Sequence, residues 1–349
     1  MIKKNLCGLT SDELYDLIKP LGFTAANAVS ILNNIYKKRI SEISQFTKIP
    51  FRLINELLNI AESGMFLPVE SEISKDGSIK YLFRTESGKE FETVYIPENK
   101  RNTVCVSTQS GCRMGCKFCV TARVGFHGNL TAGEIVNQVL AVPQAGKVTH
   151  VVFMGMGEPM DNIENVLKAC SIFTAEWGLA ISARNITVST VGLMPGVEEF
   201  LSKSQCNLTI SLYSPFSEER HKAIPVENHY PVMKIMEMVR NFPVKKKRRI
   251  SIAYVMIKDL NDTDRHLNEL KAMLSGSSVR VNLLAYHSTA SDQKCSSSPE
   301  RMHYFKHNLI ISGISASVRK SRGADISAAC GLLAAGHKLN TPAVPFLSE

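Results

Sequence analysis

The chain has no apolar run approaching the roughly 18 residues of a membrane-spanning helix. Its start, Met1-Ile2-Lys3-Lys4-Asn5-Leu6-Cys7, lacks the apolar stretch of a secretory signal. The expectation is a cytoplasmic protein with no membrane partner. Its nine cysteines, an odd number scattered over 349 residues, do not form the disulfide framework of a small secreted domain. No second Cys-x2-Cys pair occurs, which counts against a zinc knuckle made of two half-motifs. Acidic residues are in deficit: 32 Asp and Glu against 41 Lys and Arg leave a formal charge of +9, which points to a polyanionic partner, nucleic acid first. A hydrophobic content of 44% and a charged content of 21% are those of a globular protein, long enough for one large α/β domain and a small accessory one.

The chain does carry Gly111-Cys112-Arg113-Met114-Gly115-Cys116-Lys117-Phe118-Cys119. Three thiolates at Cys-x3-Cys-x2-Cys spacing can hold a 4Fe–4S cluster and leave one iron open, whereas an electron carrier normally closes all four irons with protein sulfur. An open iron is a place for a substrate. The competing reading is a structural zinc site completed by a fourth Cys or by His127. With Phe118 just before the last ligand, the spacing resembles that of the radical S-adenosylmethionine (SAM) superfamily.

Helical periodicity opens the chain. Thr10-Ser11-Asp12-Glu13 has the form of a capping box, followed by Leu14, Leu17, Ile18 and Leu21. A second helix follows Thr24 and a third follows Pro50, so residues 1–66 read as an N-terminal helical domain. Residues 67–97 read as a short antiparallel β element turning at Asp76-Gly77 and Ser87-Gly88. Strands then alternate with helices at 103–107, 149–154, 185–190, 207–212, 249–256, 279–284 and 314–319, the first helix starting at the box Thr131-Ala132-Gly133-Glu134. Alternating units imply a parallel α/β sheet, doubly wound or curved into a full or partial barrel, with its sites at the carboxyl ends of the strands. Residues 98–326 form this core and 327–349 a C-terminal segment.

Polar residues recur at those ends. Gly155-Met156-Gly157-Glu158-Pro159 follows one strand, Ser189 closes the next, and Ser211-Leu212-Tyr213 closes the one after. Glycines let backbone approach a ligand, and a carboxylate such as Glu158 accepts hydrogen bonds from an ammonium group. Taken singly, these features serve as well for a tight turn and helix caps.

The stretches 105–140, 153–162, 184–192 and 325–331 resemble the RlmN/Cfr family of radical SAM methyltransferases, which modify an adenine base in RNA; the similarity runs from about Glu92 to about Gly336. The resemblance implies a radical SAM partial (β/α) barrel whose 4Fe–4S cluster sits on Cys112, Cys116 and Cys119. It also implies two SAM molecules per turnover. The first methylates Cys330, a thiolate nucleophile; the second is cleaved to a 5′-deoxyadenosyl radical that takes hydrogen from the S-methyl group, and the resulting carbon radical adds to the electron-poor adenine. Glu92 removes the adenine proton. Cys105 attacks Cys330 to release the product, leaving a disulfide for a thiol reductant. The family's SAM contacts fall on Gly157, Glu158, Ser189, Ser211, Leu212, Tyr213 and the position of His287. Tyr213 stands where most relatives have His and His287 where they have Asn; Asn282 is a possible stand-in.

By the same resemblance the substrate is large-subunit rRNA, and tRNA beside the anticodon as a second target, with a flavodoxin- or ferredoxin-like electron donor. Met154 to Pro159 and Thr121-Ala122 favour methylation at C2, whereas Ser211 to Phe216 and Lys247-Arg248-Arg249 look more like the C8, antibiotic-resistance branch; C2 is preferred. Two further readings stay open: a radical SAM methyltransferase for another substrate, and a cluster-bearing RNA-binding or ribosome-assembly factor without catalysis. Basic runs at Lys37-Lys38-Arg39, Lys245 to Arg249 and Arg319-Lys320-Ser321-Arg322 are candidate phosphate contacts or solvated loops. Cys7, Cys170, Cys206 and Cys295 read as structural, and His303 with His307 as no metal site.

Overall fold

The structure, a computed structural model, describes residues 3–243, 248–288 and 294–334. Its N-terminal part joins β1 (Lys4–Asn5) in parallel to β2 (Ala61–Glu62) around α1 (Ser11–Ile18), α2 (Ala25–Leu32) and α3 (Phe51–Ile60). The Thr10–Glu13 capping box forms as the spacing demands, and Leu14, Ile18, Ile31, Leu32, Leu53 and Leu57 bury the inner helix faces. This unit is tied to the core by Lys168 Nζ to Glu13, at 2.6 Å.

β3 (Glu70–Ile73), β4 (Ile79–Arg84) and β5 (Glu90–Glu98) are antiparallel, turning at the two Gly dipeptides, and β5 pairs antiparallel with β6 (Arg101–Cys105). A small ribbon of β7 (Gln109–Gly111) and β8 (Phe126–Asn129) brackets α4 (Val120–Val124). Then follow α5 (Ala132–Leu140), β9 (His150–Phe153), α6 (Ile163–Thr174), β10 (Ile186–Thr190), α7 (Met194–Lys203) and β11 (Asn207–Ser211). After α8 (Ser217–Ala223) and α9 (Val232–Asn241) come β12 (Ile250–Met256), α10 (Asp264–Leu274), β13 (Arg280–Ala285), α11 (Pro299–Ile311) and β14 (Ala316–Val318).

The main sheet has ten strands in the order β14-β13-β12-β11-β10-β9-β6-β5-β4-β3. From β6 to β14 every pairing is parallel, the partial barrel of a radical SAM core. Alternation sets its two faces. On β12, Ile250, Ile252, Tyr254 and Met256 are buried against helices, while Ser251, Ala253 and Val255 lie half-buried on the concave face; β10 likewise turns Thr187 and Ser189 inward. Thr209 and Ser251 hydrogen-bond there at 2.8 Å, so the hollow is lined with small polar groups. Among the described residues no helix is long and apolar enough to cross a membrane.

Candidate active site

The three motif cysteines lie on the loop between β7 and α4. Gly111 has φ +75°, and a Cβ there would fall 1.7 Å from the Gly125 carbonyl oxygen, so only glycine lets the two ends of the loop close. Cys112 N–H donates to that carbonyl at 2.8 Å, and Cys119 N–H to Cys116 O at 3.1 Å. Arg113, inside the loop, grips Asp161 with two nitrogens at 2.6 and 2.8 Å, and Gln109 donates to the same carboxylate at 2.7 Å. Cys112 and Cys116 are buried and Cys119 half-buried. Burial, then mutual repulsion, pushes the Cys112 and Cys116 thiols well up, so thiolates at these two positions can persist only beside strong positive charge. This soft sulfur donor set suits an iron–sulfur cluster. His127, the zinc alternative's fourth ligand, is exposed on β8 with Nε2 3.2 Å from Val124 O. Among the described residues no three His, Cys, Asp or Glu converge on a single ion; a cluster bonds each thiolate to a different iron and needs no such convergence.

The loop after β9 packs against the chain that leads into this one. Cβ atoms at Gly155 and Gly157 would lie 2.7 Å from Ser107 Oγ and 2.5 Å from Gln109 Cβ, so these glycines admit the protein's own chain, a reason the sequence reading did not give. Glu158 is 3% exposed; its carboxylate accepts from Met160 N–H at 3.0 Å and Val191 N–H at 2.9 Å. Burial raises it to about 7 against the lowering effect of these bonds. Ser189 and Ser211 lie half-buried at the ends of β10 and β11, and Leu212 is buried. Tyr213 has φ +67° and stacks on Phe118 of the cysteine loop, centroids 5.4 Å apart, while Asn261 holds its carbonyl at 2.7 Å. The structure thus brings the Tyr213 ring against the motif's aromatic. His287 contacts Ser321, and burial holds its imidazole below the usual range. Asn282 accepts from Ser317 Oγ at 3.0 Å and Arg319 Nε at 3.2 Å.

The C-terminal segment reaches the same place from the other side. Val120 N–H, next to Cys119, donates to Gly331 O at 2.7 Å, and Thr121 Oγ1 donates to Leu333 O at 2.7 Å. Ala334 N–H donates to Glu92 Oε2 at 2.8 Å. Glu92 is 5% exposed with Lys80 Nζ at 3.6 Å, so it is no solvated strand residue. Cys105, paired with Val94, shares a face of the sheet with Glu92, two residues from Val94 on β5. Its thiol is raised by burial and then by the proximity of Cys330. Cys330 keeps accessible surface, yet protein crowding its sulfur raises that thiol too, opposed by Arg319. Upstream, Asp325 accepts from Ser74 Oγ at 2.6 Å and Lys75 N–H at 3.0 Å, and Lys80 Nζ donates to Ile326 O at 2.7 Å.

Three positioning residues have no motif to announce them. Arg220 is fully buried and donates to Leu212 O at 3.0 Å, Ser211 O at 3.1 Å, Val191 O at 2.6 Å and the Glu227 carboxylate. It clamps the ends of β10 and β11. Asp161 and Asn261 fix the cysteine loop and Tyr213. Among the basic runs, Arg248 is spent on its own chain, donating to Phe200, Leu201 and Cys206 carbonyls, and Arg322 pairs with Glu98 at 3.8 Å and Asp76 at 4.0 Å. Lys245 to Lys247 lie outside the described residues, as do residues 335–349.

Residues 106–270 match the model of the Radical SAM superfamily. A Parabacteroides distasonis protein named "Probable dual-specificity RNA methyltransferase RlmN" is 40% identical over 95% of this chain and 96% of its own length. A Syntrophotalea carbinolica protein named "Dual-specificity RNA methyltransferase RlmN" is 37% identical over 97% of this chain and 92% of its own. The crystal structure of a radical SAM methyltransferase from Sphaerobacter thermophilus superposes with a TM-score of 0.89 at 36% identity, covering 95% of this chain and 99% of that one.

Proposed function

The chain belongs to the RlmN family of radical SAM RNA methyltransferases, and we propose that it methylates C2 of adenine in large-subunit rRNA and in tRNA through an S-methyl intermediate on Cys330. The family works with SAM and a 4Fe–4S cluster, and Cys112, Cys116 and Cys119 are the residues that would hold the cluster. One observation carries the reading: Cys330 lies on a segment hydrogen-bonded on one side to the cysteine loop, through Val120 and Gly331, and on the other to Glu92, through Ala334. A protein that only bound RNA would have no use for that convergence.

When bound, the cluster and SAM supply a primary carbon radical beside the cysteine loop. Cys330 first takes a methyl group from one SAM by displacement, leaving S-adenosylhomocysteine. Loss of a hydrogen atom from that S-methyl group lets its carbon add to C2. After the adduct gives up its C2 proton to Glu92 and one electron, which the oxidised cluster could take when bound, the Cys105 thiolate attacks the Cys330 sulfur. The carbon–sulfur bond breaks toward carbon, which takes a proton to become methyl, and a Cys105–Cys330 disulfide remains for an external thiol to reduce. The scheme uses two SAM per turnover, and the family reading adds a flavodoxin- or ferredoxin-like electron donor and a cytoplasmic setting to the proposal. Glu158, Tyr213 and the strand-end serines are the proposed SAM contacts.

The test is mass spectrometry of nucleosides from rRNA and tRNA incubated anaerobically with reconstituted enzyme, reductant and methyl-deuterated SAM. Isotope in 2-methyladenosine is expected; isotope in 8-methyladenosine moves the chain to the C8 chemistry, and label in neither overturns the substrate. Cys330→Ala keeps the cluster absorbance and loses methyl transfer; turnover like the wild type's in that variant sinks the mechanism.

A further inference from the structure

The parallel part of the sheet ends at β14 on one side and β6 on the other, and these two strands are not paired with each other. Arginines stand at the ends of three of these strands, two of which border the opening. Arg101 is the first residue of β6, Arg319 follows β14 with its N–H on Leu283 O at 2.8 Å, and Arg249 immediately precedes β12. Burial, and then the charges of Arg319 and Arg249, disfavour the charge on Arg101; burial, then Arg101 and Arg249, disfavour one on His150 of β9. Like charges so gathered repel. Yet among the described residues no carboxylate lies within ion-pair distance of any of the three; nearby Glu98 is paired with Arg322.

The partners they do have are neutral. Arg101 Nε donates to Thr103 Oγ1 and Arg319 Nε to Asn282 Oδ1, each at 3.2 Å. Such bonds through Nε orient a guanidinium and leave its terminal nitrogens for something else. Arg249 and Arg319 are exposed and Arg101 half-buried, so that something can arrive from solvent.

We propose that Arg101, Arg249 and Arg319 form a clamp for an RNA phosphodiester at the open side of the barrel, a subsite that seats the backbone beside the target adenine. The proposal rests on the RNA-methyltransferase reading above. A phosphodiester carries the charge the cluster lacks and accepts two parallel N–H bonds from one guanidinium. Arg319 also stands on the segment that leads from β14 to Cys330.

The experiment is equilibrium binding of fluorescein-labelled transcribed tRNA to the anaerobic holoenzyme by anisotropy, repeated at several KCl concentrations from about 50 to 200 mM. For Arg101→Gln/Arg319→Gln, the plot of log affinity against log salt should become shallower by roughly 0.7 to 0.9 per arginine removed, with an affinity loss of roughly tenfold at the lowest salt. Lysine at both positions should restore the slope but only part of the affinity, because the charge returns without the fork. Iron content and SAM binding of the same preparations report on the fold, and the single exposed Arg249→Gln gives the same readout should the double variant not fold. An unchanged slope overturns the clamp. A loss confined to SAM affinity also overturns it and assigns the guanidinia to SAM. If the wild-type enzyme methylates RNA while the variants keep their slope, the clamp alone fails; if the wild type methylates no RNA, the function reading has failed instead.

Discussion

Replacing Arg220 with Met should separate what this residue does for stability from what it does for the site. Its guanidinium is fully buried, and of its four partners only Glu227, 3% exposed, carries charge. Methionine fills similar space but leaves the carboxylate with Ser217 Oγ and Val232 N–H as donors and no cation. Breaking a buried pair in this way costs about 3–5 kcal/mol. For a chain of this size that is a fall in thermal midpoint of roughly 4–7 °C. Arg220→Met/Glu227→Gln removes the stranded charge while the amide can still accept from Val232 N–H, so it should recover more than half of the loss. SAM affinity should not recover, because Val191, Ser211 and Leu212 carbonyls, which set the ends of β10 and β11, still lack their donor. Anaerobic scanning calorimetry and SAM titration on the reconstituted enzymes measure both. A single variant melting within about 2 °C of wild type, or a double variant no more stable than the single, would refute the argument from an uncompensated charge.

Glu158 should give two opposite pH dependences. Its folded-state pKa is raised to about 7, so its stabilisation is complete below the ordinary carboxylate range and is lost as pH rises to about 7; Glu158→Gln should remove that part of the stability profile in urea midpoints taken between those limits. SAM affinity should instead rise with pH up to about 7, by at most tenfold per unit, because an ammonium group prefers the ionised carboxylate, and this dependence too should vanish in Glu158→Gln. Asp161→Ala frees Arg113 within the cysteine loop. Iron loss to a chelator should accelerate by about tenfold or more, the usual effect of removing a group that orients metal ligands, and iron retention equal to wild type would show that the loop holds itself.

Much of the barrel is legible residue by residue. The reading of 185–190 becomes Ile186–Thr190 and that of 249–256 becomes Ile250–Met256, because apolar residues facing helices alternate with small polar ones facing the hollow. The boxes at Thr10 and Thr131 form because both partners are three residues apart and need nothing from the rest of the chain. The cysteine motif is legible for the same reason. Its supports are not. Nothing local in Ser217-Glu218-Glu219-Arg220-His221-Lys222 says that α8 turns Arg220 under two strand ends 9 and 29 residues away. Glycines 155 and 157 read as room for a ligand until the chain at Ser107 and Gln109 is seen to occupy that room.

The antiparallel strands show most clearly where local reasoning stops. Turn residues mark the hairpins at Asp76-Gly77 and Ser87-Gly88, but it is the pairing of β5 with β6, from Val94 and Cys105 to Glu98 and Arg101, that joins them to the barrel. That register decides which side chains meet. It places Glu92 and Cys105 on one face, and it brings Ser74, Lys75 and Lys80 to where they hold Asp325 and Ile326. A slip of one residue would turn Glu92 to the opposite face, away from the Ala334 N–H it accepts. The extension therefore holds the segment on both sides of Cys330, at Asp325 and Ile326 before it and at Ala334 after it.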